Sequence, residues 1–398
     1  MAVVVQFLRH GENGLKHVKA AVLEQFEKPL QIREFPDPAE PGVYPLLPGE
    51  ALVSVDIAGI CGTDVHLWLG QLAIPLPNIM GHESAGRIEK LGAGLLHDWR
   101  GEPLREGDRV TWASSISCGE CFFCRVKRQP TRCLTRKAYG ISYCASDAPH
   151  LRGGYAQKIL LRAGSAIFRI PESVPSEALI GAGCALTTAI HASERAPLEW
   201  GDAVVVQGTG PVGLAAIAVA RAAGAGTIVA IGGPPHRLAL AHGLGADVTL
   251  DIGRLPDAAT RREAVLHTVG PFGADQVIEC VGHPEAVNEG ILLCRDGGQF
   301  VVLGQYADAG NISFNPHTIT RKQLRVTGSW GFEPRHVDRA IRMLEHNPAL
   351  RERFAACITH RYPLAQADEA LQMARSLAGG KTVILPNSQG CQGMGSGH

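Results

Sequence analysis

The chain has 398 residues, 47 of them glycine, and Lys plus Arg equals Asp plus Glu at 38 each. That length exceeds one ordinary core and suits two domains. Balanced charge gives no basic field to draw nucleic acid or an anionic membrane surface, and no apolar run is long enough to span a bilayer.

Residues 1–18 read as a flexible N-terminal extension. Met1 to Leu8 is apolar, but no basic residues precede it and no small-residue cleavage site follows, so it does not read as a secretory signal. Eleven cysteines without such a signal point to the reducing cytoplasm. Val18 to Val22 is the first predicted strand. Between Leu52 and Val110 short apolar runs alternate with Gly and Pro turns, the pattern of a β-rich domain. From Ala203 the pattern changes. Strands are predicted at 204–206, 228–231, 247–250, 275–279 and 299–303, and they alternate with helices at 211–223, 235–244, 259–269 and 284–294. Such alternation predicts an α/β fold with a parallel, doubly wound sheet. A helix at 334–346 and a segment at 366–385 are expected to return to the first domain. Residues 386–398, rich in Gly, Ser and Gln, are expected to form a flexible tail.

Cys118, Cys121 and Cys124 stand three apart, and Cys133 follows. Four soft thiolates at such spacing close a tetrahedral shell around Zn²⁺ with no open position, so this site is structural and does no chemistry. Disulfides fit poorly in a chain that is neither small nor visibly secreted. The stretch Gly208-Thr209-Gly210-Pro211-Val212-Gly213 follows a predicted strand and opens a helix. In that setting Gly208 permits a tight turn, Gly210 lets a pyrophosphate approach, and Gly213 lets the helix pack on the sheet. Pro211 and Val212 belong to the same cofactor loop, and the helix N-terminus offers N–H groups to phosphates. Gly232 stands where the second strand ordinarily ends in an acid that holds the adenosine ribose. Without that acid a 2′-phosphate is not repelled, and Arg237 is placed either to meet one or to be a solvated residue at a helix start. NAD and NADP both stay open, with NAD slightly favoured.

Cys61, His82 and Cys184 are far apart in sequence, yet together they form a three-ligand set that leaves one position open, the pattern of a catalytic zinc. Glu83 is an alternate ligand or a support behind the others.

Taken together, Cys-Gly-Thr-Asp-Val-His at 61–66, Gly-His-Glu at 81–83, the cysteine lobe at 118–133, Gly-Gly-Tyr-Ala at 153–156, Cys184 and the glycine loop at 208–213 resemble the zinc-dependent medium-chain dehydrogenase/reductase superfamily, the alcohol dehydrogenase family. The resemblance covers nearly all of residues 19–385. It implies a Rossmann doubly wound parallel sheet at 186–331. Around it wraps a discontinuous, β-rich, GroES-like catalytic domain made of 19–185 and 332–385. It implies two zinc ions per chain, one catalytic and one structural, and a homodimer or homotetramer. Thr63 would hydrogen-bond the substrate oxygen and pass on its proton, and His66 would carry that proton to solvent. The implied reaction is reversible hydride transfer between an alcohol, secondary or apolar, and NAD(P)⁺. Trp68, Leu72, Ser114 and Ser115 are expected to line the pocket, and no Arg or Lys cluster marks it for an anionic substrate.

Three departures from the family pattern stand out. Eight residues separate Cys124 from Cys133 where seven is usual. Gly62 replaces an Arg that in some members contacts the pyrophosphate, and the ribose acid is missing. Cys184 follows the alcohol dehydrogenases, where polyol dehydrogenases tend to have Glu. The alternatives are a zinc-independent-type reductase of the same superfamily, which would lack the three ligands, and a non-catalytic nucleotide-binding protein, in which Thr63 and His66 would have no purpose.

Overall fold

The structure is a computed structural model, and it describes residues 15–388. The predicted extension and tail lie mostly outside the described residues. At their inner ends both expectations need correction. The first strand already begins at His17. Asn387 is anchored through its side-chain amide, which donates to the carbonyls of Val55 at 3.0 Å and Gln157 at 2.9 Å.

Residues 51–59 form a largely buried, apolar strand, and 83–91 pair with them antiparallel. These two strands form the centre of a seven-stranded sheet. Its order is 167–169, 109–112, 83–91, 51–59, 381–385 and 358–363, with 158–161 also pairing to 51–59. The last strand, Lys381–Leu385, lies antiparallel to 51–59 and parallel to Ile358–Pro363. The end of the chain therefore completes a sheet begun near its start.

Runs such as Val204-Val205-Val206 are fully buried, which requires cover on both sheet faces and hence a parallel sheet with helices on either side. Six strands form that sheet, in the order 248–251, 227–232, 203–207, 274–279, 294–302 and 325–328, all parallel. Numbered along the chain this order is 3-2-1-4-5-6, the Rossmann arrangement, with its reversal point beside 203–207. Five of the strands match predicted ones. The sixth, Arg325–Gly328, is a short, mostly exposed edge strand with no apolar run to announce it.

Two helices of the first region carry candidate site residues. Helix α1 (Gly62–Trp68) leaves the strand 51–59 directly. Helix α2 (Ser176–Arg195) is the longest among the described residues and had no counterpart among the predicted elements. It is buried along most of its length, so it lacks the polar stripe that marks a surface helix. Gly181 and Gly183 also read as breaks. Helix α3 (Pro211–Ala222) packs against α2, as do the helices Pro334–His346 and Pro348–Ala356. One apolar core runs from α2 into both sheets and fixes them relative to each other. Among the described residues no helix is long and apolar enough to cross a membrane.

Candidate active site

Local backbone logic brings Cys61 into position. It caps α1, and Asp64, three residues on, turns back so that its carboxylate accepts a hydrogen bond from the Cys61 N–H at 2.8 Å. The other oxygen of Asp64 faces His82 Nδ1 at 3.2 Å. A fully buried carboxylate thus orients two candidate ligands at once, leaving the second ring nitrogen of His82 for a metal. Sequence reasoning assigned Asp64 no role, although its place at the third helical position is a capping signal.

Cys184 arrives from α2 through a kink. Gly183 has φ +54° and ψ −157°, which breaks the helix one residue before the thiol. A Cβ at that position would also lie 2.7 Å from Glu83 Oε1. The freed Cys184 N–H donates to the same oxygen at 2.7 Å. The other oxygen of Glu83 pairs with the amine of Lys381, and both side chains are buried. Burial opposes the charge on Glu83, but Lys381 and His82 outweigh it and hold the carboxyl down at about 2. Lys381, like Asp64, was not foreseen, because 298 residues of chain separate it from Glu83.

The ligand atoms of Cys61, His82, Glu83 and Cys184 all lie within 4.8 Å of one another. The Cys61 and Cys184 sulfurs are 3.5 Å apart. Their contact does most to hold the Cys61 thiol down at about 5, while Cys184 is driven well above the ordinary thiol value by the same contact and by burial. Two bare thiolates that close repel each other unless a proton or a cation lies between them. Burial disfavours a charge on His82, but Asp64 and Cys61 raise the imidazole well above its usual value. Two sulfurs, one imidazole and a carboxylate behind the imidazole form a donor set that fits Zn²⁺.

The second cluster is local. The sulfurs of Cys118, Cys121, Cys124 and Cys133 also lie within 4.8 Å of one another. Backbone N–H groups of Glu120 and Cys121 help hold the Cys118 thiol down at about 6. The eight-residue gap is spanned by a wide turn at Phe122–Val126, a left-handed Arg128 at φ +53° and a tight turn at Pro130–Arg132. The extra residue is absorbed there, and the sulfurs still converge.

Comparison with known proteins agrees with this geometry. Residues 47–172 match the alcohol dehydrogenase GroES-like domain, and residues 211–346 match the zinc-binding dehydrogenase family. The chain is 36% identical over 376 residues to 5-exo-hydroxycamphor dehydrogenase of Pseudomonas putida, covering 93% of this chain and 99% of the relative. It is 29% identical over 362 residues to sorbitol dehydrogenase of Halalkalibacterium halodurans, covering 89% and 95%. An alcohol dehydrogenase of Thermotoga maritima superposes with a TM-score of 0.87 at 35% identity, covering 94% of this chain and all of that one. A zinc-binding dehydrogenase described from Sinorhizobium meliloti 1021, bound to NADP, superposes at 0.79 with 28% identity, covering 93% and 100%.

The chain belongs to the zinc-dependent medium-chain dehydrogenase/reductase superfamily. Its members among these relatives make it an oxidoreductase acting on alcohols.

In this dehydrogenase the glycine loop lies at the reversal point of the parallel sheet. Gly208 has φ +95°, and a Cβ on Gly213 would lie 1.8 Å from the Gly208 carbonyl oxygen. Beside Gly210 there is open space, and Pro211 begins α3. Val212 packs into the core. Thr209 and Pro211 line one cavity together with Lys381, which joins the loop to the Glu83 side of the cluster. Gly232 is explained sterically. A Cβ there would lie 2.3 Å from the Thr209 hydroxyl, which accepts from the Gly233 N–H at 3.1 Å. In this backbone the Thr209 side chain fills the space that an acid at 232 would need. Arg237 is half-buried and donates to the Gly379 carbonyl at 3.1 Å.

Thr63 and His66 are one turn apart on α1. The Thr63 hydroxyl lies 3.8 Å from Cys61 Sγ, and His66 Nδ1 lies 2.5 Å from Gln71 Oε1. The expected pocket residue Trp68 needs correction. Two positions beyond His66, it points to the other side of α1. There its indole N–H donates to the Lys28 carbonyl at 2.8 Å, Arg375 covers its ring at 5.1 Å, and the side chain is buried in the core. Leu72 packs against that same core. Ser114 is buried with its carbonyl bound to the Tyr139 N–H, and Ser115 pairs with Ala138 in a two-stranded ribbon.

Proposed function

We propose that the chain is a zinc-dependent alcohol dehydrogenase that interconverts a secondary alcohol with an apolar body and the corresponding ketone, using NAD(P). The observation that carries this reading is the convergence of Cys61, His82 and Cys184, with Glu83, beside a cavity shared by Lys381 and the glycine loop. When bound, zinc supplies Lewis acidity that eases loss of the alcohol proton, and the nicotinamide supplies a hydride acceptor.

The chain's own residues do the rest. Cys61, His82 and Cys184 hold the metal, Asp64 fixes Cys61 and His82, and Glu83 fixes Cys184 through its backbone N–H. Thr63 accepts the substrate hydroxyl proton and passes its own toward His66, which is partly exposed and hands a proton to solvent. Gly208, Gly210 and Gly213 seat the pyrophosphate at the start of α3. Cys118, Cys121, Cys124 and Cys133 hold a second, structural zinc. Both cofactor forms fit this reading, since no acid at 232 excludes a 2′-phosphate and Arg237 is engaged by Gly379. The bicyclic secondary alcohol in the name of the Pseudomonas relative supports the apolar substrate class.

The test is elemental analysis together with an alcohol panel assayed separately with NAD⁺ and NADP⁺. Two zinc ions per chain and turnover with one cofactor are expected. Thr63→Ala should lower kcat by about 10²–10⁴-fold while zinc and cofactor stay bound. Near-normal turnover in that variant would remove the relay.

A further inference from the structure

Two arginines carry charge that the proposed chemistry does not use. Arg132 and Arg136 project from the cysteine lobe, and their guanidinium carbons lie 5.5 and 5.1 Å from the centre of the Trp330 ring. Trp330 follows the edge strand of the parallel sheet and stacks on Tyr306, with ring centres 5.8 Å apart and planes 5° from parallel. Two regions of the chain meet here, the metal lobe on one side and the loops after two Rossmann strands on the other.

The same loop reaches the catalytic cluster. Gly331 accepts a hydrogen bond at 2.8 Å from His191, which lies two turns beyond Cys184 on α2. Phe332 lines one cavity with His82, Cys184 and Thr187. Tyr306, stacked on the opposite partner of the arginines, Trp330, belongs to the same group of side chains.

Other arginines with little exposure have acceptors. Half-buried Arg261 meets Glu289 at 2.7 Å, buried Arg152 meets Glu50 at 3.6 Å, and half-buried Arg109, Arg237 and Arg351 donate to backbone carbonyls. Among the described residues neither Arg132 nor Arg136 has a carboxylate within ion-pair distance or a side-chain hydrogen bond. Trp330 attracts both through its ring face but accepts none of their N–H groups. Arg136 is half-buried, and leaving a guanidinium there without an acceptor is costly.

We infer that Arg136 and Arg132, set against Trp330 and Tyr306, form the far end of the substrate pocket and select alcohols that carry an oxyanion, such as a carboxylate, remote from the hydroxyl. The apolar body of such a substrate would lie along Phe332 and Trp330. This rests on the dehydrogenase reading, and it reverses the expectation that no Arg or Lys cluster serves the pocket. The arginines are separated in sequence from Trp330 and meet it only through the fold.

The experiment uses zinc-loaded protein saturated with reduced nicotinamide cofactor. Dissociation constants are measured by calorimetry for 3-hydroxybutanoate, 4-hydroxypentanoate and 5-hydroxyhexanoate and for their methyl esters. At least one acid should bind about tenfold or more tightly than its ester, the scale of one charge-assisted hydrogen bond. Arg136→Gln should bring that ratio close to one, and Arg136→Lys should retain part of it. Equal binding of acid and ester across the series overturns the inference. That comparison needs no variant, so a folding defect cannot mask it. A preference that survives Arg136→Gln also overturns it. Turnover is read separately. Acid preference lost in Arg136→Gln without oxidation of any alcohol upholds the anion site and removes the dehydrogenase reading, whereas oxidation of the esters without acid preference does the reverse.

Discussion

The cluster of Cys118, Cys121, Cys124 and Cys133 comes from a single loop, and three of its four cysteines keep some solvent exposure. The cluster of Cys61, His82 and Cys184 comes from three separate segments; its two cysteines also keep some exposure, but His82 is buried and Asp64, Glu83 and Lys381 are packed behind it. In the first, short turns and backbone N–H groups are enough to gather four sulfurs, so the loop is nearly self-sufficient. The second exists only when the whole fold exists. A closed shell of identical soft ligands needs little support. A centre with an open position needs buried carboxylates to set each ligand's direction, and these carry a heavy desolvation cost unless paired.

The sharpest way to break this contrast is His82→Ala. It should abolish turnover and remove one zinc per chain, leaving the lobe's metal in place. Retention of both metals would mean that His82 is not a ligand. Next in size, Lys381→Met should strand the buried Glu83 carboxylate and lower the free energy of unfolding by about 3–5 kcal/mol in denaturant titrations. Adding Glu83→Gln to that variant should recover part of the loss. If Lys381→Met unfolds like the parent, the pair contributes nothing to the fold. The mildest expected effect is that of Cys133→Ser. It should release the lobe's zinc and lower the thermal midpoint by several degrees, with the metal of the Cys61, His82 and Cys184 cluster retained. Loss of both metals together would show that the lobe is not independent.

The same contrast explains what could be read from the sequence. Each ligand sits in a short motif of reactive residue types, so Cys61, His82, Cys184 and the four lobe cysteines were all legible. Four strands of the parallel sheet were legible because they are buried on both faces, and the edge strand 248–251 because Val248 and Leu250 still mark it as apolar. Helix α2 was hidden because burial nearly all round erased its amphipathic stripe, and because Gly183, needed for the kink before Cys184, imitates a loop signal. Asp64 and Lys381 were hidden because their roles lie in pairings with His82 and Glu83 that only the tertiary fold creates. Trp68 was misplaced because nearness to His66 along the chain put it, by helical rotation, on the far side of α1. Gly232 is legible as a missing acid, but the Thr209 side chain that fills its space is visible only in three dimensions.

The strand Lys381–Leu385 closes the sheet begun at residues 51–59 and delivers the amine that pairs with Glu83. On the ribosome, every metal ligand has been synthesised once Cys184 is made, almost 200 residues before that amine appears. Until then the Glu83 carboxylate lacks its ion-pair partner and residues 51–59 lack one neighbouring strand. Closure of this sheet and the pairing of Glu83 therefore both wait for residues 381–385, although every metal ligand lies before them in the chain.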